Sequence, residues 1–500
     1  MSLAVLLSRS LVGLDAPTVR VEVHLARGLP SFGIVGLADA EVRESRERVR
    51  AAILSSGFEF PLGRLTVNLS PADIPKESGR FDLPIALGVL LVSGQAAARC
   101  ASVMSNLVLA GELSLTGALV STRGALAIAL AVARTHRHAT LLLPMLDAED
   151  ASRVPGISVL GASCLTEVVN HLNGISPLLP IAPSNSLAPP NQQPCLSDLR
   201  GQLLARRALE LAAAGGHSML LAGTPGVGKS MLARRLPGIL PDLTESESLE
   251  VASIAAFAGV AQPLSAVRPF RTPHHSASLA AMVGGGLKPR PGEVSLAHRG
   301  VLLLDELPEF ERRIREALRE PLENYEIALA RANIKVVYPA DFQLIATMNP
   351  CPCGWNGHPK RACKCRPEQI LAYQSRVSGP LVDRIDLQIH VTQEKEKWLD
   401  LPAGEGSALV RERVVSAWTR QKTRQGGLNA RLDDGLLDTH CAMTLGAKTL
   451  LDQLIDRYYL SARSIQRVRR VSRTIADLDE YHSIDTRHIA EAFQYRFKAA

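Results

Sequence analysis

The chain has 500 residues, 46% hydrophobic and 21% charged, enough apolar material for two or three full domain cores. Its formal net charge of +7 suits an acidic partner, nucleic acid first among them, or serves solubility alone. No apolar run reaches the roughly 18 residues that span a bilayer. The opening MSLAVLLSRS also lacks the basic start and apolar length of a secretory signal, so the expected setting is cytoplasmic, away from membranes, with reduced thiols.

The first stretch mixes strand-like runs (VRVEVHLA, RLTVNLS, LVLAGELSL) with a helical one (DAEVRESRERVRAAILSSG), which predicts a mixed α/β domain over 1–175. Within it, PKESGRFDLPIALGVL and AGELSLTGALVSTRGALAIAL resemble the Lon protease domain. Lon chemistry needs a serine nucleophile and a lysine base that share a proton. Counted along the two motifs, those positions fall on Phe81 and Ile128, and Lys76 and Ser78 are too close along an extended stretch to replace them. The resemblance therefore implies a Lon-like fold without proteolysis, a module that binds DNA or organises a ring. ISPLLPIAPSNSLAPPNQQP, dense in Pro, Ser and Asn, holds neither helix nor interior strand and marks a linker at 176–196.

Strands and helices then alternate as in a parallel-sheet nucleotide-binding core, expected over 197–396, before a mostly helical 397–500. HSMLLAGTPGVGKSMLARRL runs from a strand through Gly223, Thr224, Pro225, Gly226, Val227, Gly228, Lys229 and Ser230 into a helix, the setting a phosphate loop requires. Backbone N–H groups freed by the glycines close around phosphate at the positive end of the helix. Lys229 is expected to reach the β- and γ-phosphates and Ser230 to ligate Mg2+. GVLLLDELPEF ends a strand in Asp305 and Glu306, one carboxylate for Mg2+ and one to polarise the attacking water.

Further on come FQLIATMNP with Asn349, SRVSGPLVDRIDL with Arg384, and LSARSIQRVRRVSRTIADL with Arg463 at a helix start. In this order the features resemble the AAA+ ATPases. The resemblance implies that Asn349 is a polar sensor, that Arg384 is a finger for a neighbouring subunit's ATP, and that Arg463 is a second sensor from a helical lid. Read singly, DRID is a surface ion pair and SARSIQRVRR a solvated basic helix face.

RPFRTPHHSASLAAMVGGG, PRPGEVSLAHRGVLLLDELPEF and REPLENYEIALARANIKVVYPADFQLIATMNPCPCG are similar to the magnesium-chelatase-type branch, above all to the YifB/ComM proteins, across essentially the whole chain. That implies a ring, expected to be a hexamer, which hydrolyses ATP with Mg2+ and acts on DNA. Its activity would be that of a helicase promoting branch migration in recombination or natural transformation. The alternative is the ATPase motor subunit of a metal-chelatase complex, against which the Lon-like domain and the cysteine insert stand. YEIALARANIKVVYPADF reads as two strands with a tip at 332–335. Related ring motors grip DNA with such a hairpin, so Arg331 and Lys335 are expected to touch phosphate; the plainer reading is two solvated cations. His274 and His275 belong to a signature without an assigned role.

CPCGWNGHPKRACKC, finally, sets Cys351, Cys353, Cys363 and Cys365 between sensor and finger, four of the eight cysteines. Four thiolates can hold structural Zn2+ tetrahedrally, with His358 as a substitute ligand. The C-x-C spacing is not the C-x-x-C of a knuckle, and an exposed loop with free thiols is the other reading. In both, the insert is expected to shape a DNA- or subunit-facing loop, away from the chemistry of ATP.

Overall fold

A computed structural model describes residues 3–36, 40–76, 79–97, 104, 106–183, 193–260, 264–286, 289–331, 334–377, 379–393 and 401–496. Two compact units emerge: Met1–Ala188 with Ser248–Leu264, and Pro189–Glu247 with Ser265–Ala500.

The first unit is built on a seven-stranded sheet, in the order Ser31–Val35, Arg64–Ser70, Thr18–Ala26, Leu3–Arg9, Leu107–Leu109, Thr140–Pro144, Ser158–Ala162. Alternation explains its centre. Val21 lies opposite Leu69 and Val23 opposite Val67, and all four are buried while their sequence neighbours are not. The helix Asp82–Val92 is apolar nearly all round and buried nearly throughout. LVLAGELSL, read as one run, is split by a break at Ala110–Gly111 into Leu107–Leu109 and Glu112–Leu113. Phe81 and Ile128 are fully buried in two separate apolar clusters. Core side chains thus occupy both positions where acyl transfer needs a hydroxyl and an amine. Lys76 is buried, its ammonium donating to the Pro71 carbonyl; Ser78 falls outside the described residues. Leu249, Ala252 and Leu264, placed in the nucleotide-binding stretch by sequence order, join an apolar cluster of the first unit with Ala16, Val108 and Ile128. Part of the expected linker is also fixed there, the Ile181 N–H donating to the Val159 carbonyl at 2.9 Å; residues 184–192 lie outside the description.

In the second unit a five-stranded parallel sheet runs Phe270–Arg271, Val301–Leu304, Gln343–Met348, Met219–Ala222, Leu387–His390. Its three central strands are buried at every residue, as parallel strands covered on both faces must be. One consequence governs function. Gln343–Met348 is inserted between the phosphate-loop strand and Val301–Leu304, so Asn349 leaves the sheet between Lys229 and the Asp305–Glu306 pair, at the carboxyl ends where α/β sheets bind ligands.

The C-terminal part is helical, through Ser407–Gln425, Leu445–Tyr458, Ala462–Leu478 and Thr486–Gln494. Ala462–Leu478 starts where the Ser461 hydroxyl accepts from the Ser464 N–H, and it buries Val468, Val471 and Ile475 on one stripe. The hairpin pairs Glu326–Arg331 with Ile334–Pro339, Arg331 opposite Ile334 and Ala330 opposite Lys335. Lys335 therefore sits on the second strand, one pair in from the Arg331–Ile334 pair that closes the ladder; residues 332–333, part of the expected tip, lie outside the described residues. No helix among those described is long and apolar enough to cross a membrane.

Candidate nucleotide site and adjoining thiol cluster

The buried strand Met219–Ala222 delivers the chain into the loop 223–228. Gly226 and Gly228 take φ of +82° and +92°, left-handed geometry that side chains resist. A Cβ on Gly223 would stand 2.3 Å from the Val391 carbonyl oxygen. Behind the loop, the Lys229 Nζ donates to the carbonyls of Gly223 (2.6 Å) and Thr224 (3.0 Å) and to the Asn349 Oδ1 (3.1 Å). Burial lowers the Lys229 pKa, while Asp305 and Glu306 oppose that shift.

Ser230 Oγ donates to both Asp305 oxygens, at 2.8 and 3.0 Å. The Asn349 amide bridges the rest of the cluster: its Oδ1 accepts a hydrogen bond from the Lys229 ammonium, and its Nδ2 donates to Glu306 Oε1 at 3.4 Å. Glu306 itself is held at a left-handed φ of +59°, a backbone strain typical of functional positions. A residue absent from the sequence reading fixes it. Thr347 Oγ1 donates to Asp305 Oδ1 at 2.6 Å and accepts the Glu306 N–H at 3.0 Å. The lone hydroxyl in the apolar run LIATM was the available signal.

Arg384 and Arg463 are elsewhere. Parallel register sets Met219 beside Leu387 and Ala222 beside His390, so Arg384 lies before the start of its strand while the phosphate loop follows the end of the neighbouring one. Ser218 Oγ, just ahead of the phosphate-loop strand, donates to the Arg384 carbonyl at 3.0 Å. The Arg384 guanidinium pairs with Glu323 at 2.5 Å, and Arg463 is 3.9 Å from the same Glu323 oxygen. Both line a cavity of about 370 Å³ with Tyr325, Asp386 and Arg467. Glu323, which gathers the two arginines, had no sequence signal. Beside them Arg467 meets the buried Asp386 at 2.6 Å. Burial alone would raise the Asp386 pKa, but Arg467 and His217 hold it well below the ordinary carboxylate range.

The thiols form one group. Cys351, Cys353 and Cys363 sulfurs are 3.4–3.6 Å apart pairwise, and the four ligand atoms including Cys365 lie within 4.8 Å of one another. A disulfide would bring two sulfurs to about 2.05 Å, whereas tetrahedral zinc at about 2.3 Å from each requires edges near 3.8 Å. Backbone N–H groups of Trp355 and Lys364 lower the Cys353 thiol to about 6. His358 is not in the group: its Nδ1 accepts the N–H groups of Lys360 (3.0 Å) and Arg361 (2.9 Å). Nor is the insert remote from the phosphate loop, as expected from sequence. Gly354 is so close that a Cβ there would be 2.6 Å from the Pro225 Cγ. Lys335 is exposed, the Arg331 side chain is outside the description, and the His274 and His275 ring centres lie 4.1 Å apart with the planes tilted by 34°.

Residues 195–399 match the family described as magnesium chelatase, subunit ChlI, residues 21–147 match subunit ChlI of Mg-chelatase, and residues 404–496 match its C-terminal part. The chain is 46% identical to the uncharacterized protein YifB of Salmonella typhimurium, covering 99% of this chain and 97% of that one. It is 44% identical to the competence protein ComM of Haemophilus influenzae, over 99% and 98% of the two chains. It belongs to the YifB/ComM family of magnesium-chelatase-like AAA+ proteins. A further likeness, 22% identity over 41% of this chain and 25% of the other, is to the DNA replication licensing factor Mcm6 of Drosophila melanogaster.

Membership of the YifB/ComM family implies ATP and Mg2+, and the residues present fit both. Ser230 and Asp305 already share a hydrogen bond, which brings together the hydroxyl and carboxylate oxygens that a hard cation prefers. The loop glycines leave backbone N–H groups clear for phosphate.

Proposed function

We propose that this chain is a ring-forming ATPase, a hexamer in the cytoplasm, that acts as a helicase driving branch migration of DNA in homologous recombination or natural transformation. The observation that carries the reading is the separation of two half-sites within one chain. Lys229, Ser230, Asp305, Glu306 and Asn349 cluster at one end of the sheet, and Arg384 and Arg463 meet over Glu323 at the other. A ring of head-to-tail copies would bring the second half of one chain to the first half of the next.

In that arrangement the roles divide by chemistry. Lys229 exchanges the carbonyls it now contacts for β- and γ-phosphate oxygens. Ser230 and Asp305 hold Mg2+, which when bound neutralises phosphate charge. Glu306 takes hydrogen-bond hold of the attacking water, and Asn349 senses γ-phosphate between it and Lys229. Arg384, with Arg463 beside it, enters from the neighbour to stabilise the charge that develops during transfer. The four thiols hold one structural zinc, which ties a polar loop that has no apolar core of its own. Lys335 and Arg331 on the hairpin contact the DNA backbone.

A chelatase motor subunit is the second reading, favoured by the descriptions of the matching families. ATPase rates measured with four-way-junction DNA, linear DNA, or a chelatase partner with porphyrin separate the two. Stimulation by junction DNA is expected; stimulation only by the chelatase partner would replace the DNA reading.

A further inference from the structure

The cysteine insert carries charge that neither its thiols nor the nucleotide site employs. From Cys351 to Pro367 the sequence holds Lys360, Arg361, Lys364 and Arg366 and no Asp or Glu. All four cations are exposed, and none has an ion-pair partner among the described residues. A surface arginine on the following helical turn behaves differently: Arg376 pairs with Glu309.

The Arg361 cation is held by the insert itself, and the backbone that carries Lys360 and Lys364 is anchored there. The Arg361 guanidinium stacks 4.4 Å from the Trp355 ring centre, and His358 meets Trp355 edge-on at 5.0 Å. The Lys360 and Arg361 N–H groups bind His358, as described, and the Cys365 N–H donates to Cys363 Sγ at 3.4 Å. Lys364 lies between those two cysteines, and its own N–H bonds to Cys353. A cluster of exposed cations on an anchored backbone beside an aromatic ring matches a polyanion with spaced phosphates and stackable bases.

We infer that this insert is a second nucleic-acid contact, distinct from the hairpin, in which Lys360, Arg361, Lys364 and Arg366 bind the phosphate backbone of a DNA strand. It also signals occupancy to the nucleotide site. Gly354, next to Cys353, abuts Pro225 of the phosphate loop with no room for a methyl group, so a shift of the insert on DNA moves the loop that holds ATP. The inference rests on the DNA-motor reading above.

The test uses the full-length chain carrying Lys360→Ala, Arg361→Ala, Lys364→Ala and Arg366→Ala, with fluorescein-labelled single-stranded and junction DNA followed by anisotropy across a salt series. The DNA-free ATPase rate and the melting temperature should stay near wild type. The log-affinity against log-salt slope should flatten by about 3, at 0.7–0.9 for each lost phosphate contact, and stimulation of ATPase by DNA should disappear. If that variant melts early, Lys360→Gln with Arg361→Gln, which leaves the stretch between the last two thiols untouched, should flatten the slope by about half as much. An unchanged slope in a folded variant, while wild type binds DNA, overturns this inference and leaves the motor reading standing. An unchanged slope with loss of oligomer in size-exclusion chromatography would assign the patch to an acidic face of a second copy. A wild-type chain that binds neither DNA overturns both readings together.

Discussion

Arg384→Ala offers the sharpest test of the divided site. The side chain is nearly buried, pairs with Glu323 at 2.5 Å and donates to the Pro380 carbonyl at 2.6 Å. Glu323 is itself 46% exposed, so losing that pair should cost the fold only about 0–1 kcal/mol after solvent screening. An arginine finger is worth about 10³–10⁵ in rate, or about 4–7 kcal/mol of barrier. Activity should therefore collapse while folding, ATP binding and oligomer formation persist. Lys229→Ala fails for another reason, because its own loop no longer holds phosphate. When equal amounts of the two variants form random rings, a working site needs an intact loop from an Arg384 variant facing an intact finger from a Lys229 variant. That happens at half times half, about a quarter of interfaces, whatever the ring size. Steady-state ATPase of the mixture should thus approach a quarter of wild type if sites act independently, against near zero for either variant alone. Rates no higher than the sum of the two variants, in rings shown to be mixed by differential tagging, would refute the trans placement of Arg384.

Thr347→Val keeps shape but removes the donor to Asp305 and the acceptor for the Glu306 N–H; kcat should fall about 10–100-fold with ATP affinity retained, and a wild-type kcat would remove Thr347 from the site. Asp386 has a folded pKa below its unfolded value near 4, so its contribution to stability is present above about pH 4 and is lost as pH falls toward the folded value. Asp386→Ala should cost about 3–5 kcal/mol at pH 7 by leaving Arg467 without its buried partner, with a smaller difference at pH 3; urea midpoints that match wild type at pH 7 would contradict this. Protein purified without chelator should carry about one zinc per chain, lowered by Cys351→Ser with Cys363→Ser, and metal analysis finding none in active protein would leave free thiols as the account. In the same double variant ATP affinity should also weaken, since Gly354 no longer braces Pro225; unchanged nucleotide titration by fluorescence would uncouple the two sites.

Much of this protein is written locally in its chain. Strand, glycine loop, Lys229, Ser230 and helix follow one another without a gap, so phosphate-loop geometry needs no information from elsewhere. The Asp305–Glu306 pair ends its own apolar strand, and period-two burial in Thr18–Ala26 and Arg64–Ser70 is a property of those residues alone. The order of motifs along the chain was enough for the AAA+ class. What sequence did not contain depends on how separated segments meet. Thr347 matters only because its strand is inserted between two others, which aims one hydroxyl at Asp305. Arg384 and Arg463 have no pattern in common until Glu323, from a third segment, stands between them. Gly354 lies against Pro225 because both follow adjacent parallel strands at their carboxyl ends, and Leu249 and Leu264 join an N-terminal core through a fold that returns to it. Spacing within an element encodes which face a side chain occupies; which faces then meet is fixed by strand order and packing, and that is decided only when the chain is folded.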